Sequence, residues 1–378
     1  MHQTLTVRLR RLLLSWYAKA QRPLPWRQTN DPYRILVVEY MSQQTPVDRV
    51  EEYYNRFLKQ FPDVHVLARA SAQRVLKAWE GMGYYARARN LQAAARKIVR
   101  EFGGQVPAEP EVLLTLPGCG PYTAAAVASM AFNRAVPVLD GNVSRVLCRL
   151  FGVWDDPRKE ATRKHLRALA RALMPQSQAR EFNQALMELG ALVCTPRSPR
   201  CDICCWSFAC EARTLPPPTL LPVKAQKPAV PHFEIAIGVV WKDASVLIAQ
   251  RPAQGLLGGL WEFPGGKRKP RESLRSCCAR EIEEEVGVKV RVGQKLMTIR
   301  HAYSHFRITM HVFECSHLSG DPRPLGCQKV RWVSPRSLTR YPFPAANKIL
   351  IQELQKHRGS GSSRRLTWPG TRQQSRPG

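Results

Sequence analysis

Apolar residues recur every three to four positions through most of residues 1–215, which is the spacing of one face of an α-helix. In the first segment, Val7, Leu9, Leu12, Leu13 and Trp16 share such a face. We therefore predict an all-helical first domain over residues 1–215. The further predicted helices are Val47–Phe61, Gln73–Trp79, Arg87–Phe102, Gly120–Phe132, Val143–Leu150, Arg158–Leu173 and Ala179–Val193.

The pattern changes after a proline-rich stretch at residues 216–231, which is typical of an extended linker. Beyond it, short apolar runs predict strands around one helix, Glu272–Val286, and hence a second, α/β domain over residues 232–355. Residues 356–378 are basic and poor in apolar side chains, so we predict a disordered tail. The predicted strands are Phe233–Trp241, Ser245–Gln250, Lys289–Arg300, Phe306–Cys315 and Val330–Val333.

The 378-residue chain carries a formal net charge of +29, which predicts a polyanionic partner, most simply nucleic acid. An RNA-binding or membrane-surface protein would share this excess of positive charge. No apolar run is long enough to span a membrane. The Arg-rich N-terminus could pass for a transit peptide, but its periodicity favours a first helix. We expect a cytoplasmic monomer, associated with the nucleoid if the source is bacterial.

The segment from Leu113 to Asn142 contains a Gly-Pro-rich turn, L-P-G-C-G-P, ahead of an alanine-rich helix. Gly118 and Gly120 allow a tight turn that exposes consecutive backbone N–H groups at a helix N-terminus. Such a turn, which begins at Leu116, binds a phosphate oxygen without reading sequence. An ordinary corner between two helices is the alternative. The pattern favours a helix-hairpin-helix that contacts DNA.

Two carboxylates are candidates for chemistry. Glu39 lies within an apolar run, I-L-V-V-E-Y-M, where lost hydration should raise its pKa towards that of a general acid. Asp140 lies in the turn V-L-D-G-N ahead of a helix. The alternatives are a surface glutamate on an amphipathic helix and a helix N-cap, a role for which Asn142 is equally suited.

Four motifs together resemble the MutY-type adenine DNA glycosylases, base-excision enzymes that carry a helix-hairpin-helix. They are E-Y-M-S-Q-Q-T, W-E-G-M-G-Y-Y-A-R-A-R-N-L, L-P-G-C-G-P-Y-T and D-G-N-V-S-R-V, and the resemblance covers about residues 8–315. These enzymes remove adenine mispaired with 8-oxoguanine, after rotating it out of the duplex. The reaction needs an acid that protonates the leaving base and a carboxylate that stabilises the cationic sugar. The resemblance implies that Glu39 is the acid and Asp140 the carboxylate.

The resemblance also implies roles for four further residues. Tyr122 and Asn142 would help to shape the adenine pocket, while Gln44 and Tyr84 would enter the base stack as wedges. The alternatives for Gln44 and Tyr84 are a helix-surface amide and a packed core tyrosine. Tyr122 stands where bifunctional relatives carry a Schiff-base lysine, so we predict hydrolysis without efficient strand cleavage. Ser42 departs from the family, which usually has leucine before the two glutamines.

Eleven cysteines, an odd and clustered set, indicate metal binding in a reducing compartment rather than a disulfide framework. Four of them follow the spacing C-x6-C-x2-C-x5-C, and four thiolates this close can hold zinc or an iron–sulfur cluster. The resemblance implies a 4Fe–4S cluster. We expect it to order the loop rather than to take part in redox catalysis, because no step on the substrate needs an electron. Cys205 is the predicted non-ligand. The four predicted ligands are Cys194, Cys201, Cys204 and Cys210.

From Gly266 onward the second domain follows G-x5-E-x7-R-E-U-x-E-E-x-G-U, where U is a bulky apolar residue. This pattern resembles the box of MutT and other nudix hydrolases, which binds Mg²⁺ at a diphosphate. Glu281, Glu284 and Glu285 fall on one helical face and are the predicted Mg²⁺ ligands. A solvated run of charges is the alternative. The MutY-type family usually carries a degraded box, so the intact pattern is a departure.

The family resemblance extends to H-A-Y-S-H-F, where Ser304 and His305 would contact 8-oxoguanine. The leading hypothesis is therefore a monofunctional adenine glycosylase that acts on double-stranded DNA containing A·8-oxoguanine or A·G mispairs. The first alternative is a nudix pyrophosphohydrolase of oxidised nucleotides such as 8-oxo-dGTP, alone or as a second activity. The others are a lesion-binding protein without catalysis and a combined glycosylase and lyase.

Overall fold

The structure is a computed structural model that describes residues 3–214, 217–223, 230–303 and 305–356. The chain divides into two compact units. The helical unit comprises residues 1–69 and 90–227, and the sheet unit comprises residues 70–89 and 228–378. The tail predicted to be disordered and part of the predicted linker lie outside the described residues.

The helices of the first 215 residues confirm the prediction of an all-helical first part. Two short helices, α4 and α7, were not predicted, because six and four residues are too few for a periodic pattern. The helix α5 and the first four residues of α6 belong to the sheet unit. The bounds are α1 (Gln3–Ala20), α2 (Pro32–Ser42), α3 (Val47–Gln60), α4 (Val64–Arg69), α5 (Ala72–Ala78), α6 (Ala86–Phe102), α7 (Pro110–Leu113), α8 (Pro121–Phe132), α9 (Gly141–Leu150), α10 (Glu160–Leu173) and α11 (Ala179–Leu192).

The helix α8 lies in the interior of the helical unit. Every residue from Thr123 to Ala131 is buried, and the helix contacts α2, α7 and α11. A helix that is apolar on all sides is buried on all sides, and its small alanine side chains let the neighbouring helices approach closely. The contact between α2 and α8 brings the segment of Glu39 against the segment of Tyr122. A second core, formed by α1, α9, α10 and α11, surrounds Leu13, Leu147 and Phe182.

The sheet unit contains one seven-stranded mixed sheet. Its strands run in the order β3-β2-β1-β6-β5, while β4 pairs with β1 and β7 pairs with β2. The pair β1–β6 is parallel and the other pairs are antiparallel. The bounds are β1 (His232–Lys242), β2 (Ser245–Gln250), β3 (Trp261–Glu262), β4 (Gly265–Lys267), β5 (Lys289–Ala302), β6 (Arg307–Ser319) and β7 (Lys329–Val333).

One helix covers each face of this sheet. Ala236 and Val240 of β1 pack with α12 (Leu274–Val286), while Ile237 and Val239 pack with α13 (Ala345–Lys356). Successive side chains of a strand point to opposite faces, which explains this alternation. The predicted α/β class is confirmed, although α13 and the short strands β3 and β4 were not predicted. Among the described residues, no helix is long and apolar enough to cross a membrane.

Candidate active site

Glu39 lies in the interior of the helical unit, on the helix α2. The helix begins at Pro32, and the Asp31 side chain caps it by accepting hydrogen bonds from the backbone N–H groups of Tyr33 and Arg34. The residue is only 4 % exposed, so Glu39 is not a surface glutamate. Its Oε2 atom has no hydrogen-bond partner among the described residues. Burial raises the pKa of Glu39 to about 7, which allows it to carry a proton near neutral pH.

Asp140 caps the helix α9, so the N-cap alternative is correct as a description of its local structure. Its Oδ1 accepts a hydrogen bond from the Val143 backbone N–H at 2.6 Å, and its Oδ2 accepts one from Asn142 Nδ2 at 3.1 Å. Burial raises the pKa of Asp140, while these two donors and the charge of Arg145 act in the opposite direction. Capping therefore holds the Asp140 carboxylate in one orientation. It does not prevent this carboxylate from having a chemical role as well.

Tyr122 connects the two carboxyl groups. Burial is the main cause of the raised pKa of Glu39, the Tyr122 hydroxyl beside it lowers that pKa, and the charge of Asp140 raises it. Burial, followed by the charges of both carboxyl groups, raises the pKa of the Tyr122 hydroxyl well above its ordinary value, so this side chain stays a neutral phenol. The structure thus brings three of the predicted pocket residues together.

A cavity of about 460 Å³ lies beside these residues, within the size range of small-molecule sites. Tyr122 and Asp140 line it, whereas Glu39, whose pKa both residues influence, is not among the lining residues. The remaining lining residues are Ser42, Gln43, Gln44, Leu139, Gly141, Ser144, Pro157, Arg158 and Arg163. Of these residues, Gln44 was a predicted site residue, and Ser42, Gln43, Gly141 and Ser144 lie within the motifs E-Y-M-S-Q-Q-T and D-G-N-V-S-R-V. The sequence prediction missed Pro157, Arg158 and Arg163, because they lie outside every motif and resemble ordinary surface positions.

A buried arginine holds Asn142 in place. Arg145 Nη2 donates to Asn142 Oδ1 at 2.8 Å and to the Gly190 carbonyl at 2.7 Å, and its Nε donates to the Cys194 carbonyl at 2.7 Å. Asn142 in turn donates to Asp140. The chain of contacts therefore joins the cysteine loop to the carboxylate of the cavity. Arg145 was missed in the sequence, although its position three residues after Asn142 places both on one face of α9.

The four predicted cysteine ligands, Cys194, Cys201, Cys204 and Cys210, line one small cavity, and Cys205 is not among the residues that line it. Arg149 Nη1 lies 3.3 Å from Cys194 Sγ; burial raises the pKa of this thiol, and the neighbouring guanidinium acts in the opposite direction. Four thiols around one cavity match the donor chemistry of a soft metal centre. Among the described residues, however, no group of three or more His, Cys, Asp or Glu side chains is arranged to hold a metal ion.

The glycine turn has the geometry that its sequence predicts. Gly118 has a φ of +74°, and a Cβ atom there would lie 2.6 Å from the Asn90 side chain, so only glycine fits. Gly120 is the N-cap of α8 and has no capping side chain, which leaves backbone N–H groups for an external acceptor. Leu116 is only 2 % exposed, so the prediction of a DNA contact can hold only for its backbone.

Both predicted wedge residues have left-handed backbone conformations, which non-glycine residues seldom adopt. The φ of Gln44 is +59° and that of Tyr84 is +45°. Gln44 is exposed in the turn after α2, and Tyr84 is half-buried rather than packed in a core. Strained backbone of this kind concentrates at functional sites, which is consistent with a role for both residues.

Tyr84 lies in the sheet unit together with His305. The ring centroids of the two side chains are 6.3 Å apart, and His305 is exposed. Glu80 fixes the segment of Tyr84 within this unit, because it accepts a hydrogen bond from the Phe343 backbone N–H at 3.1 Å and pairs with Lys348 at 3.3 Å. Ser304, the other predicted contact of 8-oxoguanine, lies outside the described residues.

Comparison with known proteins places this arrangement in a family. The model of the HhH-GPD superfamily of base excision DNA repair proteins matches residues 37–172, and a NUDIX domain model matches residues 236–353. The adenine DNA glycosylase of Rattus norvegicus is 34 % identical to this chain, over 92 % of this chain and 78 % of the relative. That of Homo sapiens is also 34 % identical, over 91 % and 73 %.

The chain belongs to the adenine DNA glycosylase family. The member from Mycolicibacterium smegmatis is 47 % identical over 51 % of this chain and 65 % of its own length. Among solved structures, a thermostable thymine-DNA glycosylase is similar with a TM-score of 0.50 and 31 % identity, over 55 % of this chain and 97 % of that protein.

Family membership confirms the predicted enzyme class. The protein is a DNA glycosylase, a hydrolase of N-glycosidic bonds that acts in base excision repair. A nudix pyrophosphohydrolase is not favoured as its main function. The predicted helix-hairpin-helix and nudix-like domains are likewise confirmed.

Within this family member, the glutamates of the nudix box make contacts inside the protein. Arg280 Nη1 donates to Glu281 at 2.8 Å and to Glu284 at 2.9 Å, and Glu285 accepts a hydrogen bond from the Gly265 backbone N–H at 3.2 Å. Burial raises the pKa of Glu285 to about 8. These three residues are not a metal-binding group in the part of the chain that the structure describes. The predicted Mg²⁺ site stays a prediction.

Proposed function

We propose that this glycosylase removes adenine that is paired with 8-oxoguanine or guanine in double-stranded DNA, by hydrolysis and without efficient strand cleavage. The observation that carries the proposal is a buried carboxyl group, Glu39, whose pKa of about 7 suits a general acid, beside a phenol that lines a cavity of about 460 Å³. The matching relatives are named adenine DNA glycosylases, which supports adenine as the base.

In the proposed reaction the target nucleotide leaves the base stack and enters the cavity beside Asp140. Glu39 gives its proton to the adenine as the bond between the sugar and the base breaks, so the base leaves neutral. Hydrogen bonds to a catalytic acid often tighten only when the substrate is bound, so the absence of Glu39 from the cavity lining in the described residues is compatible with this role. Asp140 stabilises the cationic sugar, water adds to it, and the proton that the water releases restores the acid.

Tyr122 supports the monofunctional part of the proposal. A phenol cannot form the imine that strand cleavage through a covalent lyase intermediate requires. We also propose that Cys194, Cys201, Cys204 and Cys210 hold a 4Fe–4S cluster, whose bound form would order the loop through the contact of Arg145 with the Cys194 carbonyl. The predicted monomeric state and cytoplasmic location stay predictions.

The decisive experiment measures adenine release under single-turnover conditions from a duplex with one A·8-oxoguanine pair, beside an A·T duplex. We expect release from the mispair and little from the A·T control. Borohydride added during the reaction should trap no covalent adduct. Equal rates on both duplexes would refute the proposed substrate, and an adduct would refute the monofunctional mechanism.

The pH profile provides a first prediction. Because the acid must be protonated, kcat/KM for the A·8-oxoguanine duplex should fall by about tenfold per pH unit above the Glu39 pKa of about 7. On the acid side of the profile, kcat/KM should begin to fall at a pH above the ordinary pKa of an aspartate, since burial raises the pKa of Asp140. Duplex binding measured over the same range is the control, and kcat/KM that still rises at pH 9 would remove Glu39 from the acid role.

Lesion preference provides a second prediction. Replacing Ser304 and His305 together by alanine should reduce the preference for A·8-oxoguanine over A·G by about tenfold, the effect of losing one or two hydrogen bonds to the oxidised base. The rate on the A·G duplex should stay near that of the wild type, because bond breaking takes place in the helical unit. His317→Ala, elsewhere in the sheet unit, is the matched control. An unchanged ratio would exclude these residues from lesion recognition.

A further inference from the structure

Two arginines line the same cavity as Tyr122 and Asp140. Arg158 precedes α10, and Arg163 lies in the first turns of that helix. Arg158 forms a forked pair with Asp156, at 2.9 Å from Nε to Oδ1 and 2.6 Å from Nη2 to Oδ2. Arg163 is half-buried, and in the described ranges its guanidinium forms no side-chain hydrogen bond or close ion pair. The carboxylate of Glu160, which pairs with Arg167, interacts with Arg163 only through its charge. The cavity wall therefore contains a guanidinium whose hydrogen-bond donors are not taken by a neighbouring carboxylate.

The chemistry of the proposed reaction limits what this cation can bind. Both parts of the nucleotide that react become positively charged, the base when it is protonated and the sugar when the bond breaks. A guanidinium close to either would oppose the reaction, because like charges repel strongly in a partly desolvated site. The only anionic parts of an extruded nucleotide are its two flanking phosphodiesters. An arginine matches them well, since its planar group donates two parallel hydrogen bonds to phosphate oxygens.

We propose that Arg163, with Arg158 beside it, binds a phosphodiester next to the extruded nucleotide at the entrance of the catalytic cavity. This inference rests on the proposed function, because it assumes that the nucleotide enters this cavity. Asp156 forms a direct ion pair with Arg158, whereas Glu160 pairs with Arg167 and acts on Arg163 only through its charge, so Arg163 supplies the larger share of the attraction. The contact holds the sugar beside Asp140 and offsets the electrostatic cost of drawing the two phosphates to the pocket.

The test combines a protein variant with a change in the DNA. The variant is Arg163→Gln, and the DNA change replaces one phosphate on either side of the target nucleotide by an uncharged methylphosphonate. Arg167→Gln is the matched control, because Arg167 lies one turn further along α10, pairs with Glu160 at 2.8 Å and does not line the cavity. The probe is a duplex that carries a tetrahydrofuran abasic analogue opposite 8-oxoguanine, and the measurement is the dissociation constant.

We expect Arg163→Gln to weaken binding by about tenfold relative to Arg167→Gln, the usual cost of a lost charge-assisted contact. A methylphosphonate at one of the two positions should weaken wild-type binding by a similar factor and should weaken binding of Arg163→Gln no further. Arg163→Lys should recover part of the loss, since it keeps the charge. If Arg163→Gln binds like Arg167→Gln, or if it remains as sensitive to both methylphosphonates as the wild type, the proposal is wrong.

The outcome is independent of whether adenine is the base removed, because the probe contains no base. A phosphate effect that depends on Arg163, together with a wild-type protein that releases no adenine from the A·8-oxoguanine duplex, would refute the proposed function and leave the phosphate contact in place. Adenine release by a protein whose binding shows no phosphate effect that depends on Arg163 would support the proposed function and refute the phosphate contact. Thermal unfolding of each variant separates a binding defect from a folding defect.

Discussion

Replacing Glu39 by glutamine is expected to slow adenine release by about 100- to 10,000-fold, the range that a positioned general acid contributes. Glutamine has nearly the same shape but cannot give up a proton at neutral pH. Duplex binding should be retained, because Glu39 is buried and contributes no charge to the surface. Single-turnover release and the dissociation constant for the A·8-oxoguanine duplex measure the two effects separately. Near-normal release would assign the acid to another group.

Glu52→Gln is the matched control, since it makes the same chemical change at an exposed position of α3.

Stability offers an independent check of the Glu39 pKa. The group ionises near pH 4.5 in the unfolded chain and near 7 in the folded protein, so unfolding releases a proton between these values and stability falls as the pH rises through them. Between pH 5 and pH 8 the wild type should lose about 2–3 kcal/mol relative to Glu39→Gln in urea unfolding.

Replacing Asp140 by asparagine is expected to slow adenine release by about 100- to 1,000-fold, the scale of removing one electrostatic contact to a charged transition state. Asparagine is also a good N-cap, so α9 should keep its first residue and its contact with the Val143 N–H. The variant should therefore fold and bind duplex DNA while it turns over slowly. Single-turnover kinetics at saturating enzyme measure the chemical step directly.

Asp48→Asn provides the control for this substitution, because Asp48 is exposed in the first turn of α3 and is not among the residues that line the cavity. Its rate should equal that of the wild type. A slow Asp140→Asn variant whose melting temperature falls by many degrees more than that of Asp48→Asn would indicate lost structure rather than lost stabilisation of the sugar cation. A variant that keeps its stability and its rate would contradict the assigned role.

The amino-acid sequence by itself determined the secondary-structure class of each part of the chain, helical before the linker and α/β after it. Helical periodicity marked the first 215 residues, and β-branched runs marked the strands beyond the linker, because these patterns depend only on which side chains must face a core. The glycine turn was equally predictable, since the positive φ of Gly118 is a local backbone property. The burial of Glu39 also followed locally, because residues on all sides of it along the helix are apolar.

Only the tertiary structure decided which distant residues meet. The packing of α2 on α8 places Tyr122 against Glu39, and the cap of α9 joins Asp140 to Arg145 and hence to the cysteine loop. The helical pattern of residues 70–89 gave no sign that this segment, with Tyr84, belongs to the same unit as His305. Local patterns specify secondary structure, whereas such contacts depend on how buried faces pack together, which no short stretch of sequence encodes.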